Sequence, residues 1–432
     1  MPPSLDAVGG AEVRYSRGYL RYALAVLTVV YTFNFIDRQI LVILQESIKK
    51  DMGLSDAQLG ILSGFTFAIF YVTLGLPIAR FADRGVRRNV IAVAVALWSL
   101  MTGVSGVVRS YGQLLAARIG VGIGEAGGSP PAHAMISDYF PISERGRALS
   151  VYSTGVYIGI MFGYLAGGWI NQALGWRMAF FLVGAPGLLL ALVVRFTLRE
   201  PPRGYSEERV KAYTLPPLRD TMALLWGLKS FRYLSLATGF TAFVGYGAGN
   251  FAPSFLARSH HLSSGQIGTA LGIFAGLGGI TGTYLGGHFG DRFGVRDKRW
   301  YLWLPAIAIT IALPIRMLAY TASDIRIVYL LIAVGELLYM TYLGPAIAVS
   351  HALVSPALRA LISSILFFVL NLIGLGLGPL FVGLTSDLLT ARFGSEALRW
   401  SLVITCLAWI PAIGLYLMAA TTLRQDLARR TE

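Results

Sequence analysis

The sequence predicts an all-α polytopic membrane protein of twelve transmembrane helices, arranged as two six-helix pseudo-symmetric bundles. Three observations predict it. Of the 432 residues, 55% are hydrophobic and only 13% charged, with a mean hydropathy of +0.63, more apolar than a soluble globule. Twelve apolar stretches reach the ~20 residues that a bilayer crossing needs. Leu54-Ser55-x-x-Gln58-Leu59-Gly60 recurs as Leu262-Ser263-x-x-Gln266-Ile267-Gly268, offset by 208 residues, and the same offset relates Asp83-Arg84 to Asp291-Arg292. One register held from the start of an apolar stretch to the charged turn beyond it marks two related halves.

A tail, residues 1–21, precedes the first bundle, 22–198, whose spans run over 22–46, 58–81, 88–108, 111–137, 147–172 and 176–197. The first span is too long for a cleaved signal peptide and contains Asp37-Arg38, so it reads as a retained helix. In the fourth, Gly127-Gly128 and Pro130-Pro131 predict local backbone flexibility. In the fifth, Gly155, Gly159 and Gly163, then Gly167-Gly168, form a small-residue stripe of the kind that lets helices approach closely in lipid. The polar linker, 199–230, divides six spans from six, and a short surface helix is expected around 217–229. The second bundle, 231–420, holds spans 231–257, 264–287, 300–320, 326–350, 358–386 and 397–420, followed by a tail, 421–432. Gly374-x-x-x-Gly378-Pro379 in the eleventh span matches the stripe of the fifth.

The net charge of +14 does not indicate nucleic acid, because the basic residues are dispersed over short turns rather than gathered on one face. With the N-terminus inside, 25 of the 36 Lys and Arg fall on the cytoplasmic side and 9 outside, Arg316 being counted with the outside. The positive-inside rule thus places both termini in the cytoplasm, in the inner (plasma) membrane. Cys406 is the one cysteine, which excludes an internal disulfide. The five histidines, His133, His260, His261, His288 and His351, lack metal-site spacing, and no phosphate-cradling GxxxxGK[ST] loop occurs. No enzyme activity, metal or cofactor is expected, and the expected partners are the bilayer and a substrate. A monomer is expected.

Charge inside the spans points to the chemistry. Asp37 and Arg38 lie in an apolar stretch, where ionisable groups are costly unless they face a partner or a cavity, and the offset aligns them with Gly245 and Tyr246. Successive helical residues point ~100° apart, so Asp37 is expected to face inward and pair with Arg118 of the fourth span. Arg118 and Glu125, two turns apart on one face with ~10 Å of rise between them, complete a set of two acids and a base. The set suggests a proton relay in which Asp37 binds the proton, Arg118 alternates between Asp37 and an anionic substrate head, and Glu125 assists. The bland readings are mutual neutralisation of Asp37 and Arg38, an Arg118 pinned on backbone carbonyls, and a Glu125 hydrogen-bonded as a structural acid. Glu336 follows Gly335 as Glu125 follows Gly124. Asn34, Tyr246, Asn250, Tyr339, Tyr342 and Asn371 are candidate polar contacts for substrate, though Tyr and Asn in spans also serve as glue between helices.

Two segments now carry a resemblance. Ala79-Arg80-Phe81-Ala82-Asp83-Arg84-Gly85-Val86-Arg87-Arg88 and Gly287-His288-Phe289-Gly290-Asp291-Arg292-Phe293-Gly294-Val295-Arg296 resemble the inner-loop motif of the major facilitator superfamily. The first copy departs from it at Ala79 and at Gly85, which sits one place early. Pro141-x-x-x-Arg145-Gly146-Arg147-Ala148 is similar to the superfamily's link between spans four and five, and Gly175-Trp176-Arg177 through Glu200-Pro201 to its sixth span. The resemblance implies the major facilitator fold, a substrate site near the midplane between the halves, and a cytoplasmic gate at Asp83, Arg84, Arg87, Arg145, Asp291, Arg292 and Arg296.

Within the superfamily, Asn34-x-x-Asp37-Arg38, Gly122-x-Gly124-Glu125-Ala126 and Ile136-Ser137-Asp138-Tyr139-Phe140 resemble the Spinster family, whose eukaryotic members carry lysolipids and sphingosine-type lipids. The resemblance implies a bacterial, proton-coupled secondary transporter of an amphipathic anionic lipid, working by alternating access with protons as the coupling ion. Symporters of sugar acids and other small organic anions also carry an Asp-Arg in span one and an Arg with Glu-Ala in span four. They would need a more polar second half, where few intramembrane charges accompany Glu336. A membrane sensor is the alternative outside transport.

Overall fold

The computed structural model describes residues 15–205, 225–355 and 358–428, with the side chains of Val72, Leu76, Ala79, Asp83 and Ala360 not among those described. Most of the surface helix expected around 217–229, and the side chain of the gate candidate Asp83, therefore lie outside the described residues. Within them the structure is helical and carries no strand. Eight stretches are long and apolar enough to cross a membrane, and two of these, Ile142–Thr197 and Leu361–Ala428, each cover two of the expected spans. In the first, Gly175 at φ 82° marks the kink where two helices meet, a conformation that favours glycine.

The repeated Leu-Ser-x-x-Gln text is a capping box. Ser55 accepts from the Gln58 amide at 3.2 Å while Gln58 accepts from the Ser55 amide at 2.9 Å. Ser263 and Gln266 repeat this at 3.4 and 3.0 Å. Each box satisfies donors that a helix start leaves orphaned, which explains the recurrence where spans two and eight begin. Beyond the caps the two spans diverge. The second passes through a π-helical segment, Ile61–Phe65, before resuming as Thr66–Arg84, whereas the eighth is one α-helix, Ser264–Gly294. A second π-helical segment, Leu370–Leu377, interrupts the eleventh span, and Gly64 meets Leu375 across the two halves. Widened turns of this kind gather at functional sites.

The first span is the helix Arg17–Met52, capped by Ser16 and ended by Gly53 at φ 66°. The fourth breaks where the glycines predict, Tyr111–Ala126 stopping at Gly127 and Ser129–Tyr139 restarting with prolines in its first turn. The glycine stripes set the packing inside each half. A methyl at Gly155 or Gly159 would meet the first span's Thr28 O at 2.9 Å or Thr32 O at 2.5 Å, and one at Gly378 the seventh span's Phe243 O at 2.4 Å.

Two seams join the halves. Gly60 lies against Pro379 where spans two and eleven meet, and Gly268 against Tyr164 and Gly168 where spans five and eight meet. Among the described residues, the hydrogen bonds crossing between the halves run from mid-bundle to the end remote from the termini. At the end bearing the termini, Arg87 bonds to Glu200, and Ser230 to Asp426 at 2.7 Å, each within one half.

Candidate functional site

A cavity of about 40 Å³ lies between the halves, with Arg38, Ser63, Arg118, Tyr246, Asn250 and Leu375 among its lining residues. A buried water needs roughly 10–15 Å³ of such space, so the cavity holds a few waters and no larger molecule. Spans one, two and four line one side, spans seven and eleven the other.

The first half supplies the charge. Arg38 Nε donates to Glu125 Oε2 at 2.7 Å, and its guanidinium lies 4.5 Å from the Phe67 ring centre, 4.8 Å from Phe35 and 5.1 Å from Tyr71. A carboxylate and three ring faces hold the cation together. The expected contact between Asp37 and Arg118 is not formed, and Arg38 instead takes Glu125. The reason is the ~100° between adjacent helical positions, which directs Arg38 to the cavity and Asp37 into the bundle. There Asp37 has Glu125, Arg118 and Thr102 as electrostatic neighbours, and Asn34, one turn earlier on the same face, lies beside Glu125.

The set is under-bonded. Asp37 Oδ1, Glu125 Oε1, and Arg118 Nε and one of its terminal nitrogens are buried without a hydrogen-bond partner among the protein groups. Each such group costs about 1–3 kcal/mol, more when charged. Two acids and two guanidiniums with one closed pair can exchange partners, gain a proton, or accept an anion.

In the second half, Tyr246 and Asn250 reach the cavity, and Asn250 Nδ2 donates across it to Ser63 O at 3.3 Å. Tyr339 and Tyr342 are buried with ring centres 5.5 Å apart, Tyr339 against Gly245. Asn371 is not brought to the cavity, its amide donating to Phe367 O of its own helix at 2.8 Å. Glu336 is not a solitary acid. Arg316, counted from sequence with the outside, is buried in the helix Trp300–Thr321 and ion-paired to Glu336. The second half is more charged inside than the sequence reading allowed.

A cluster at the remote end escaped that reading. Asp56 accepts from Arg258 through two nitrogens at 2.7 Å, from Lys49 at 2.5 Å and from Ser386 at 2.6 Å. Arg258 Nε also donates to Glu46 at 2.9 Å, and Asp387 accepts from the Asp56 and Ala57 amides at 3.0 and 2.8 Å. The two-pronged guanidinium–carboxylate contact is strong and directional, and it joins the halves. Only the helix-start position of Asp56 was legible, because its partners Arg258 and Ser386 lie 202 and 330 residues away in the chain.

The residues assigned to a gate lie at the opposite end, where Arg87, Arg145 and Asp291 bond within their own half. Arg87 is buried and donates to Asp138, to Glu200 at 2.7 Å and to Pro201 O at 2.9 Å. Arg145 donates to Ser137 O at 2.9 Å, and Asp291 accepts from the Tyr301 hydroxyl at 2.9 Å. Arg84, Arg292 and Arg296 are exposed.

Comparison with known proteins fits this architecture. Residues 27–379 match the Major Facilitator Superfamily. The chain is 35% identical to an MFS-type efflux pump of Mycolicibacterium smegmatis over 94% of each protein. It is 28% identical to protein spinster homolog 1 of Mus musculus, over 92% of this chain and 80% of that one. Among solved structures, a bacterial homolog of the human lysosomal transporter Spinster, described as inward-facing and unoccupied, is similar with a TM-score of 0.88 and 34% identity, covering 95% of this chain and 99% of that one.

Proposed function

The chain belongs to the major facilitator superfamily as a transporter of the Spinster type, and we propose that it moves an amphipathic anionic lipid, of the lysophospholipid or sphingosine-phosphate kind, by proton-coupled alternating access. The observation that carries this reading is the lining of the central cavity. Arg38 and Arg118 place positive charge on one side, while Phe35, Val42, Phe67 and Leu375 supply apolar surface beside it. An acidic head with an apolar tail satisfies both.

In this reading Asp37 is the proton-binding group, with Arg118 and Glu125 as its electrostatic partners. A proton on Asp37 removes its attraction for Arg118, leaving the guanidinium to an acidic head. Arg38 holds Glu125 meanwhile, so one acid is neutralised by a proton and the other by a cation. Asn34, Tyr246 and Asn250 add hydrogen bonds to the substrate, with Glu336, Tyr339 and Tyr342 behind them. The cavity must widen to admit it.

Placing the termini in the cytoplasm by the positive-inside rule makes the remote end the outer one. The Asp56–Arg258 cluster is then an outer latch, closed here, and the conformation faces inward, as the solved structure quoted above is described. Asp83, Arg84, Arg87, Arg145, Asp291, Arg292 and Arg296 would meet across the cytoplasmic ends in the opposite state. No cofactor is required beyond the proton, and one copy suffices. The buried Arg316–Glu336 pair favours a second reading, a small organic or sugar-acid anion, because it makes the second half more polar.

Proteoliposomes loaded against a proton gradient decide between them. Labelled lysolipid is expected to move with the gradient and a labelled sugar acid not, and Asp37→Asn is expected to abolish the gradient dependence. Sugar-acid flux without lysolipid flux would overturn the substrate, and gradient-driven flux through Asp37→Asn would overturn the proton site.

A further inference from the structure

Six aromatic rings run without a break along the outside of the second half, at the end bearing the termini. Tyr284, His288, Phe289 and Phe293 of span eight continue into Trp300 and Trp303 of span nine, each ring centre 4.9 to 5.9 Å from the next. The face they continue is the one turned to the bilayer. Ile273, Leu277 and Ile280 lead along span eight to Tyr284, which is 67% exposed, and all three are exposed themselves, at spacings of three and four that keep them on one side. Duplication does not account for the ladder. The six positions 208 residues earlier hold Leu76, Arg80, Phe81, Gly85, Ala92 and Val95, with one ring among them.

The turn that carries the ladder between the two spans is basic. Arg292, Arg296, Lys298 and Arg299 stand there against Asp291 and Asp297, and Arg424 of the last helix reaches Asp297 at 2.8 Å. Asp297 also accepts from two nitrogens of the Arg299 side chain at 3.0 and 2.8 Å, so one carboxylate serves two guanidiniums and a positive charge is left over. The Arg299 guanidinium lies 4.6 Å from the Trp303 ring centre, which joins that charge to the end of the ladder. Arg292, Arg296 and Lys298 are exposed, and their side chains have no hydrogen-bond or ion-pair partner among the described residues. The corresponding turn of the first half turns its cations inward, Arg87 to Asp138 and Glu200 and Arg88 to Leu198 O at 3.1 Å.

We infer that the basic turn and the ladder bind an anionic phospholipid of the adjoining leaflet. Its phosphate sits among Arg292, Arg296 and Lys298, and its glycerol and upper acyl carbons lie on Phe293, Trp300 and Trp303. Charge complementarity selects the head, because a zwitterionic lipid brings a cation of its own to a surface already in positive excess. The apolar part selects a lipid over a free anion, which would gain nothing from six rings or from Val295, 87% exposed between the cations. Indole rings settle at this depth, where one edge is apolar and the other wet. The surface lies outside the bundle, so the site is independent of the substrate in the central cavity. Arg292 and Arg296, which a closed cytoplasmic gate would draw in, are open to the leaflet in this conformation.

Brominated phospholipids, which quench tryptophan on contact, test this in phosphatidylcholine vesicles holding the purified full-length protein. At equal low mole fraction, brominated phosphatidylglycerol is expected to quench more than brominated phosphatidylcholine. Arg296→Gln with Lys298→Gln is expected to weaken that preference by about fivefold for each cation removed, and Arg296→Lys to retain it. Trp300→Phe with Trp303→Phe is expected to remove the selective part of the quenching. Equal quenching by the two lipids overturns the inference, as does a preference that survives either double variant. Loss of the preference on adding millimolar inorganic phosphate overturns it too, by showing a site for a free anion. Both mutated cations are exposed, so the charge variant keeps the fold and the comparison stands even where the tryptophan variant does not.

Discussion

At the seam between spans two and eleven, a methyl at Gly60 would meet Pro379 O at 2.4 Å, and at the seam between spans five and eight, one at Gly268 would meet Tyr164 O at 2.3 Å. These glycines are 208 residues apart, as are Ala57 and Gly265, whose amides donate across their seams to Asp387 at 2.8 Å and Gln172 at 3.0 Å. The backbone plan is shared, but the closure chemistry is not. Asp56 sits in a nest of Arg258, Lys49 and Ser386, while its register partner Ser264 only donates to Gly168 O at 3.0 Å. A neutral seam changes little with ionisation, whereas a seam closed by ions opens when one partner is neutralised or removed. The first is suited to a pivot and the second to a latch.

Arg258→Gln should have the largest effect, costing the latched state about 3 kcal/mol, or on the order of a hundredfold in population. Ala397, buried beside the latch, replaced by cysteine in a Cys406→Ser background, reports it as faster alkylation. Gln172→Leu should change that rate less than about fivefold, as one neutral hydrogen bond is worth about 1 kcal/mol. Equal rates in the two variants would erase the distinction between the seams. Next in size, Gly60→Val and Gly268→Val should each cost about 2 kcal/mol of seam closure through overpacking, read as matched losses of transport and melting temperature. Unequal losses would show that the backbone plan is not shared.

Asp297, partly buried and within one half, controls for the same ion chemistry with less burial. Hydrogen bonds from the Arg299 side chain and backbone, joined by Arg424, hold its carboxyl well below the usual carboxylate range. A depressed acid stabilises above its ordinary pKa of ~3.9 and loses that contribution as pH falls through the lowered value. Asp297→Asn should barely move the melting temperature at neutral pH and should flatten its acid-side decline, the smallest effect of the series.

Much of the scaffold was legible because its signals are local. Apolar runs, the repeated Leu-Ser-x-x-Gln text and the break at Gly127-Gly128 each act within a few residues of where they stand. The grouping of Asp37, Arg118 and Glu125 was legible too, since charge in a span must find company. Which cation takes which acid was not. Asp37 and Arg38 are neighbours in sequence, and helix rotation decides which of them meets Glu125. Arg316 lies near a span end and reads as a loop charge, and only Glu336 and the bare Gly335 on the next helix place it inside. Asp56 reads as an ordinary first-turn acid, because nothing local announces Arg258 or Ser386.

The π-helical segment Ile61–Phe65 has a consequence for how the duplicated text is used. Such a turn takes about one residue more than an α turn, so side chains beyond it swing by roughly 100° relative to those of an unbroken helix. Spans two and eight keep the 208-residue offset to Asp83 and Asp291, yet only span two takes the wider turn on the way. Aligning the halves by sequence therefore pairs residues that do not share a facing. Duplication copied the letters, and a change of helical phase, added to changes of residue such as Asp56 against Ser264, made the copies unequal.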